Sequence, residues 1–240
     1  MTKCEIIGMV SGHKSDYIWM YNFKQGSCMF KYYGQELVDK VIHERFFISK
    51  KNGFYVECGA FDGITYPTCK FFEESMGWTG MNIEPAPHSF KLLVENRPPP
   101  ASININCALS NVDAEMPFAQ PVHPTFGINC NNGSLKHTQA HLRILLDSGC
   151  YFVPFKVACK RFDTLAKEIT IPNIDLFVLD VEGHEIEALQ GMLTLDHAKL
   201  PQVLCVEYSF CGGIGTLDKL LKSHYKLHST YLQDAFYVKM

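Results

Sequence analysis

Phe54-Tyr55-Val56-Glu57-Cys58-Gly59-Ala60-Phe61-Asp62-Gly63 is an apolar run that meets an acid and then opens into a turn bounded by two glycines. Met81-Asn82-Ile83-Glu84-Pro85 follows one helix-length later, again an apolar run ending in a carboxylate. Leu176-Phe177-Val178-Leu179-Asp180-Val181-Glu182-Gly183 repeats the pattern a third time. Short apolar runs without polar alternation are strands buried on both faces, the mark of a parallel sheet covered by helices. Such sheets bind ligands outside the carboxyl ends of their strands, where these acids fall.

The intervening segments supply the helices. Gln35 to Phe47 carries Leu37, Val38, Val41 and Ile42 at helical spacing, and predicts a helix that packs on the sheet or roofs the site. Tyr66-Pro67 predicts the next helix start, with Gly77 ending it after Cys69, Phe72 and Met76. Pro87 opens another helix, stopped by Arg97-Pro98-Pro99-Pro100. Ile103–Leu109 reads as the third strand. From Asn111 to about Gly149 the periodicity fades among prolines, glycines and asparagines, which predicts a long irregular insertion. Val153–Cys159 reads as an extra strand and Phe162 to Glu168 as a short helix. A helix His184–Leu189 ended by Gly191, a strand Val203–Val206 and a helix Leu217–Leu221 follow. Tyr225–Leu227 and Ala235–Val238 form a terminal hairpin. The expected fold is α/β and doubly wound, mostly parallel with one antiparallel C-terminal strand. The expected division is an N-terminal helical extension over 1–50 and a main domain over 51–240, with the irregular insertion at about 111–160.

Composition narrows the function. The chain has 240 residues, 47% hydrophobic and 20% charged, with a formal net charge of -3, so a large soluble core is available. Its longest basic tracts are pairs such as Lys50-Lys51 and Lys160-Arg161, which argues against nucleic acid as a partner. No run of 18 apolar residues occurs, so no membrane segment is expected, nor does Met1-Thr2-Lys3-Cys4 lead into a signal sequence. The 10 cysteines include no CxxC pair, and Cys58, Cys107 and Cys205 lie within apolar runs. Reduced thiols and a cytoplasmic protein are therefore expected, without structural zinc. The sequence leaves the oligomeric state open.

The strand ends carry the chemistry. Gly59 and Gly63 permit a tight turn and close approach of the backbone to a ligand. The spacing is not GxGxxG, and Glu57 and Asp62 bring negative charge, so a pyrophosphate is disfavoured. A ligand with an ammonium group and no phosphate, such as S-adenosyl-L-methionine, suits the turn better. Glu84 can accept from both hydroxyls of a ribose, or cap the helix at Pro87. Asn106 and Ser110 flank the third strand, within reach of an adenine or satisfied locally. Asp180, Glu182, His184 and Glu185 form the densest polar cluster. Asp180 would face the cofactor's charged end or the reacting centre, and Glu182 or His184 would take a proton from an acceptor hydroxyl. Glu182 and Glu185 also suit a helix N-terminus. Asp180, Glu182, His184 and Glu207 have the donors for a metal, but their spacing matches no compact motif and no metal is expected. Glu207 would orient substrate, and Lys156 and Lys160 would meet it or solvate a face.

These blocks, together with Gly77-Trp78-Thr79-Gly80-Met81-Asn82-Ile83-Glu84-Pro85, Arg161-Phe162-Asp163-Thr164-Leu165 and Ile174-Asp175 to His184-Glu185, resemble the signature blocks of the FkbM-type methyltransferase family. The resemblance covers about Phe54 to Met192. It implies a class I methyltransferase sheet, S-adenosylmethionine as cofactor, and methylation of a sugar or polyketide hydroxyl. It also implies that Glu57, Gly59 and Asp62 line the methionine end, Glu84 the ribose, and Asp180, Glu182 and Glu185 the acceptor mouth. The expected activity is O-methylation of a small-molecule or glycan hydroxyl. A nucleotide-dependent oxidoreductase and a non-catalytic scaffold that keeps the fold are the alternatives.

Overall fold

A computed structural model describes residues 30–240. The first 29 residues of the expected extension, with Cys4 and Cys28, lie outside the described residues. The main sheet is built from β1 (Phe54–Cys58), β2 (Thr79–Ile83), β3 (Ser102–Ile105), β7 (Leu176–Leu179), β8 (Val203–Glu207), β9 (Tyr225–Tyr231) and β10 (Asp234–Lys239). Its order is β3-β2-β1-β7-β8-β10-β9, parallel except that β10 runs antiparallel to both neighbours. This is the expected doubly wound α/β sheet with one antiparallel C-terminal strand.

Every residue of β1, β7 and β8 is buried, because helices cover both faces. On one face, Val56, Cys58, Phe177, Leu179, Leu204 and Val206 pack with residues of α5 (Phe162–Glu168), α6 (Glu185–Met192) and α7 (Ile214–Leu221). On the other, Tyr55, Leu176, Val178 and Cys205 pack with α1 (Val38–Phe46) and α2 (Lys70–Met76), and with Trp78. The strand order turns outward in both directions between β1 and β7, so a crevice opens beyond their C-terminal ends.

Four expectations need correction. The helix expected from Tyr66 starts at Lys70, because Thr68 and Cys69 turn their backbone N–H groups onto Glu57 Oε1 at 2.6 and 3.1 Å. The strand expected over Ile103–Leu109 is divided: β3 stays in the main sheet, while β4 (Ala108–Leu109) leaves it for a second sheet. Asn106 stands at the break and donates its side-chain N–H to the carbonyls of Glu84 and Pro85 at 2.9 and 3.1 Å.

The insertion is also more regular than its composition predicts. It contains β5 (Ala114–Val122), α4 (Gln139–Asp147) and β6 (Tyr151–Lys160), the strands forming a three-stranded sheet in the order β4-β6-β5. Pro117 and Pro121 are tolerated because β5 is an edge strand, where a missing N–H leaves no partner unpaired. Gly191 does not end the helix after His184 but sits inside α6, which runs from Glu185. A Cβ there would lie 2.1 Å from the Ser110 carbonyl oxygen, so the glycine serves close packing against the segment after β4.

Beneath β1 and β2 lies an ionic brace. Arg97, which follows α3 (Pro87–Asn96), is 1% exposed. Its Nη2 donates to Tyr55 Oη at 2.6 Å and to Glu73 Oε2 at 2.8 Å. Ser102 also donates to Glu73 Oε2, at 2.6 Å. The brace ties β1, α2, α3 and β3 together below the crevice.

Candidate functional site

Two cavities open at the C-terminal ends of β1, β2, β7 and β8. The smaller, about 40 Å³, runs beside Glu84, Pro85, Cys107, Ala108 and Leu109. Phe118, Gln120, Cys130, Gly133 and Leu135 of the insertion close it from above. The larger, about 470 Å³, is bordered by Gln35, Glu36, Val38, Thr65, Thr68, Glu207, Gln233 and Asp234. Gly59, Phe61, Asn131, Asp180 and Glu182 line both, so the two adjoin across these residues and together are termed the slot. The helix expected over Gln35 to Phe47 both packs on the sheet and borders this slot: Ile42 is in the core, while Val38 belongs to both.

Gly59 sits at the junction with a φ of +84°, and a Cβ there would fall 1.9 Å from the Asp180 carbonyl oxygen. No side chain fits, so β1 and β7 can approach closely where the slot passes between them. Glu84 ends β2 as expected and lines the smaller cavity. Its two oxygens accept from the backbone N–H groups of Phe61 at 2.9 Å and Ala86 at 2.8 Å. Each oxygen keeps a further lone pair for a ligand. Burial, opposed by those two N–H groups, pushes the carboxyl up to about 7.

Other expected ligands are placed elsewhere. Glu57 is 4% exposed and lines neither cavity. Its carboxylate is used inside, on the N–H groups of Thr68 and Cys69 and 3.8 Å from Arg97 Nη1. Asp62 lines neither cavity and organises its own loop, accepting from the N–H groups of Ile64 and Thr65. Gly63 is a packing position: a Cβ there would meet Arg97 Cγ at 2.6 Å. Ser110, expected near an adenine, is buried against His184, with Oγ 3.0 Å from Nε2.

The segment after β7 forms the centre of the slot. Asp180 is exposed into it from between the two cavities. Glu182 has a φ of +60°, in the left-handed region, and lines both cavities. Asn132 donates to its Oε1 at 2.9 Å, and His141 Nδ1 lies 3.4 Å from its Oε2. Burial raises the Glu182 carboxyl well above its ordinary value, and Asp180 and Glu185 add to the effect. His184 borders only the smaller cavity, and burial lowers its imidazole. Glu185, expected at the acceptor mouth, is fully buried and accepts from the N–H groups of Val181 and Gly183. Lys156 and Lys160 line neither cavity and pair with Glu115 and Glu168.

Sequence reading passed over Asn131, Asn132 and His141. The first two sit in an Asn-Asn-Gly stretch read only as a turn, and His141 lies on a helix that the loop-like composition hid. The cysteines among the described residues from Cys58 to Cys211 are free and buried. Among the described residues no helix is long and apolar enough to cross a membrane.

The Glu84 carboxyl has a pH signature. Its native value near 7 lies above that of an exposed glutamate, so the native state holds this proton where the unfolded state has lost it. Stability therefore falls as pH rises from about 4.5 to about 7. Relative to Glu84→Gln, the wild-type chain should lose about 2–3 kcal/mol across that window in urea denaturation. A stability difference independent of pH would contradict the environment described for Glu84.

Comparison with known proteins places this architecture. The methyltransferase FkbM domain matches residues 57–225, and the chain belongs to that family. It is thereby a member of a methyltransferase family whose cofactor is of the S-adenosylmethionine type. Among solved structures, the chain is similar to the methyltransferase FkbM from Methylobacillus flagellatus KT. That likeness has 13% identity over 78% of this chain and 43% of that one, with a TM-score of 0.47. This chain thus spans less than half the length of that protein. It is also similar to the fibrillarin pre-rRNA processing protein of Methanococcus jannaschii, at 12% identity over 100% of this chain and 98% of that one, with a TM-score of 0.49. Neither likeness is strong enough to bear on function. Curated proteins give no match.

Proposed function

We propose that the chain transfers a methyl group from S-adenosylmethionine to a hydroxyl oxygen of a carbohydrate or similar small acceptor. The observation that carries this reading is that the two cavities adjoin at Gly59, Asp180 and Glu182. One end has Glu84 for ribose hydroxyls, and the other has 470 Å³ of polar-lined space for an acceptor. Gln35, Thr65, Thr68, Asn131 and Gln233 offer neutral hydrogen-bonding groups there, the lining a polyhydroxylated acceptor requires.

In this reading Glu84 holds the ribose and the carboxylate of Asp180 faces the cationic end of the cofactor. Glu182 takes the proton of the acceptor hydroxyl, with Asn132 and His141 orienting it. His184, enclosed beside Ser110, orients the segment after β7 and is not the base. The sulfonium brings its own activation, so the residues of the slot align donor and acceptor and exclude water. A nucleoside is larger than the present 40 Å³ around Glu84. Cofactor entry therefore requires the insertion's cover of Phe118, Gln120 and Leu135 to lift, which gives the second sheet the role of a lid.

Calorimetric titration with S-adenosylmethionine tests the donor half, and transfer of its labelled methyl group to a panel of sugars, glycans and hydroxylated lipids tests the acceptor half. Cofactor binding without transfer across the panel would favour a scaffold that retains the fold. Folded protein that binds no cofactor would overturn the reading.

A further inference from the structure

The acids around the larger cavity outnumber what the cofactor can balance. Glu36, Asp180, Glu182, Glu207 and Asp234 line it, and no lysine, arginine or histidine does. S-adenosylmethionine carries a sulfonium, an ammonium and a carboxylate, a net charge of about one. Glu182 and Glu207 are buried among them, and carboxyls crowded in this way either keep their protons or share a cation.

Two of these acids, Asp180 and Glu207, converge with Glu185, which is fully buried and lines neither cavity. One carboxylate oxygen from each of Asp180, Glu185 and Glu207 lies within 4.8 Å of the others. Oxygens on one hard cation sit at about 2.0–2.6 Å from it, and so up to about 4–5 Å from each other. None of the ion pairs between described residues includes any of the three. A second observation points the same way. Glu207 is 5% exposed, and its Oε2 has no hydrogen-bond partner. A carboxyl in that state is satisfied by a proton shared with Asp180 or by a cation.

We propose that Asp180, Glu185 and Glu207 bind a divalent cation of the magnesium or manganese class beside the larger cavity, which Asp180 and Glu207 line. The donor set is all carboxylate, which suits hard cations and offers none of the nitrogen or sulfur ligands favoured by zinc. Glu185 is aimed by the N–H groups of Val181 and Gly183, which occupy Oε1, while Oε2, sharing the Gly183 N–H, retains a lone pair. Asp180 faces the cavity, so the remaining coordination positions open toward an acceptor.

The consequence for chemistry rests on the methyl transfer proposed above. The acceptor hydroxyl binds the ion, which lowers its pKa, and its proton passes to Glu182. The oxygen then forms a bond to the methyl carbon as the carbon–sulfur bond breaks, its electron pair remaining on sulfur. The ion is unchanged at the end.

Manganese(II) titration of the full chain, followed by electron paramagnetic resonance without cofactor, tests the site. One bound ion per chain is expected, displaced by magnesium. Glu207→Gln and Asp180→Asn should each weaken it by at least about 10-fold, while Glu115→Gln, on the exposed Lys156 pair of β5, should leave it unchanged. Thermal melting of each variant establishes that it is folded. Absence of bound manganese, or binding indifferent to both cavity variants, overturns the proposal. A parallel cofactor titration in chelator separates the two readings: cofactor binding without manganese binding removes the ion and leaves methyl transfer standing. Manganese binding without cofactor binding does the reverse.

Discussion

Arg97→Leu is expected to destabilise the chain by about 3–5 kcal/mol, because it removes one partner from a buried ionic network. The guanidinium is 1% exposed and lies among four groups, two on β1, one on α2 and one in the loop between them. It donates to Tyr55 Oη and Glu73 Oε2, reaches the Gly63 carbonyl at 3.4 Å, and lies 3.8 Å from Glu57 Oε2. Leucine fills part of the volume but leaves Glu73 and Glu57 without their cation, and an uncompensated buried charge is the dominant cost. Arg97→Lys should recover only part of the loss, since an ammonium cannot reproduce the planar fork. Urea denaturation of the three proteins measures this directly. A loss below about 1 kcal/mol would mean that the brace is not what joins β1 to α2 and α3.

The second large effect concerns the cofactor. Glu84→Ala should weaken S-adenosylmethionine by about 100-fold or more, measured by calorimetry. A hydrogen bond to a charged group contributes about 1.5–3 kcal/mol, and a ribose presents two hydroxyls. The substitution also strips the N–H groups of Phe61 and Ala86 of their acceptor, loosening the turn that carries Gly59. Glu84→Gln should fall between, since its amide retains one acceptor oxygen for two donors. Because its carboxyl sits near 7, wild-type affinity should also rise between pH 6 and pH 8 as Glu84 ionises. Equal affinity in wild type and Glu84→Ala would remove the ribose role.

The strands that carry the site were legible because they are buried on both faces. Apolar runs at Phe54–Val56 and Leu176–Leu179 have few other interpretations in an alternating α/β chain. What the pattern could not reveal is where an acid at a strand end sends its side chain. Glu57 and Glu84 look equivalent in sequence, yet Glu57 faces the N-terminus of α2 and Arg97 while Glu84 faces the slot. Asp62 and Gly63 were likewise absorbed by local turn chemistry and by packing against Arg97.

The insertion was hidden for another reason. Pro117 and Pro121 mark loops in most contexts, but on an edge strand their missing N–H groups face outward and the ladder to β6 survives. The convergence of Asp180, Glu185 and Glu207 was out of reach of spacing rules, because the third acid arrives from the neighbouring strand. The sequence expectation of no metal followed from spacing alone, whereas the three-dimensional arrangement supplies the contrary proposal.

In the proposed function, one slot from Glu84 through Gly59 to Asp180 holds S-adenosylmethionine with its methyl group facing the Glu182–Glu207 end. A crystal structure of the chain with S-adenosylhomocysteine tests it most directly. Both ribose hydroxyls are expected within hydrogen-bond distance of Glu84, the sulfur beside Gly59 and Asp180, and Phe118 and Leu135 displaced from the nucleoside. A nucleoside bound away from Glu84, or a sulfur facing away from the larger cavity, would contradict it.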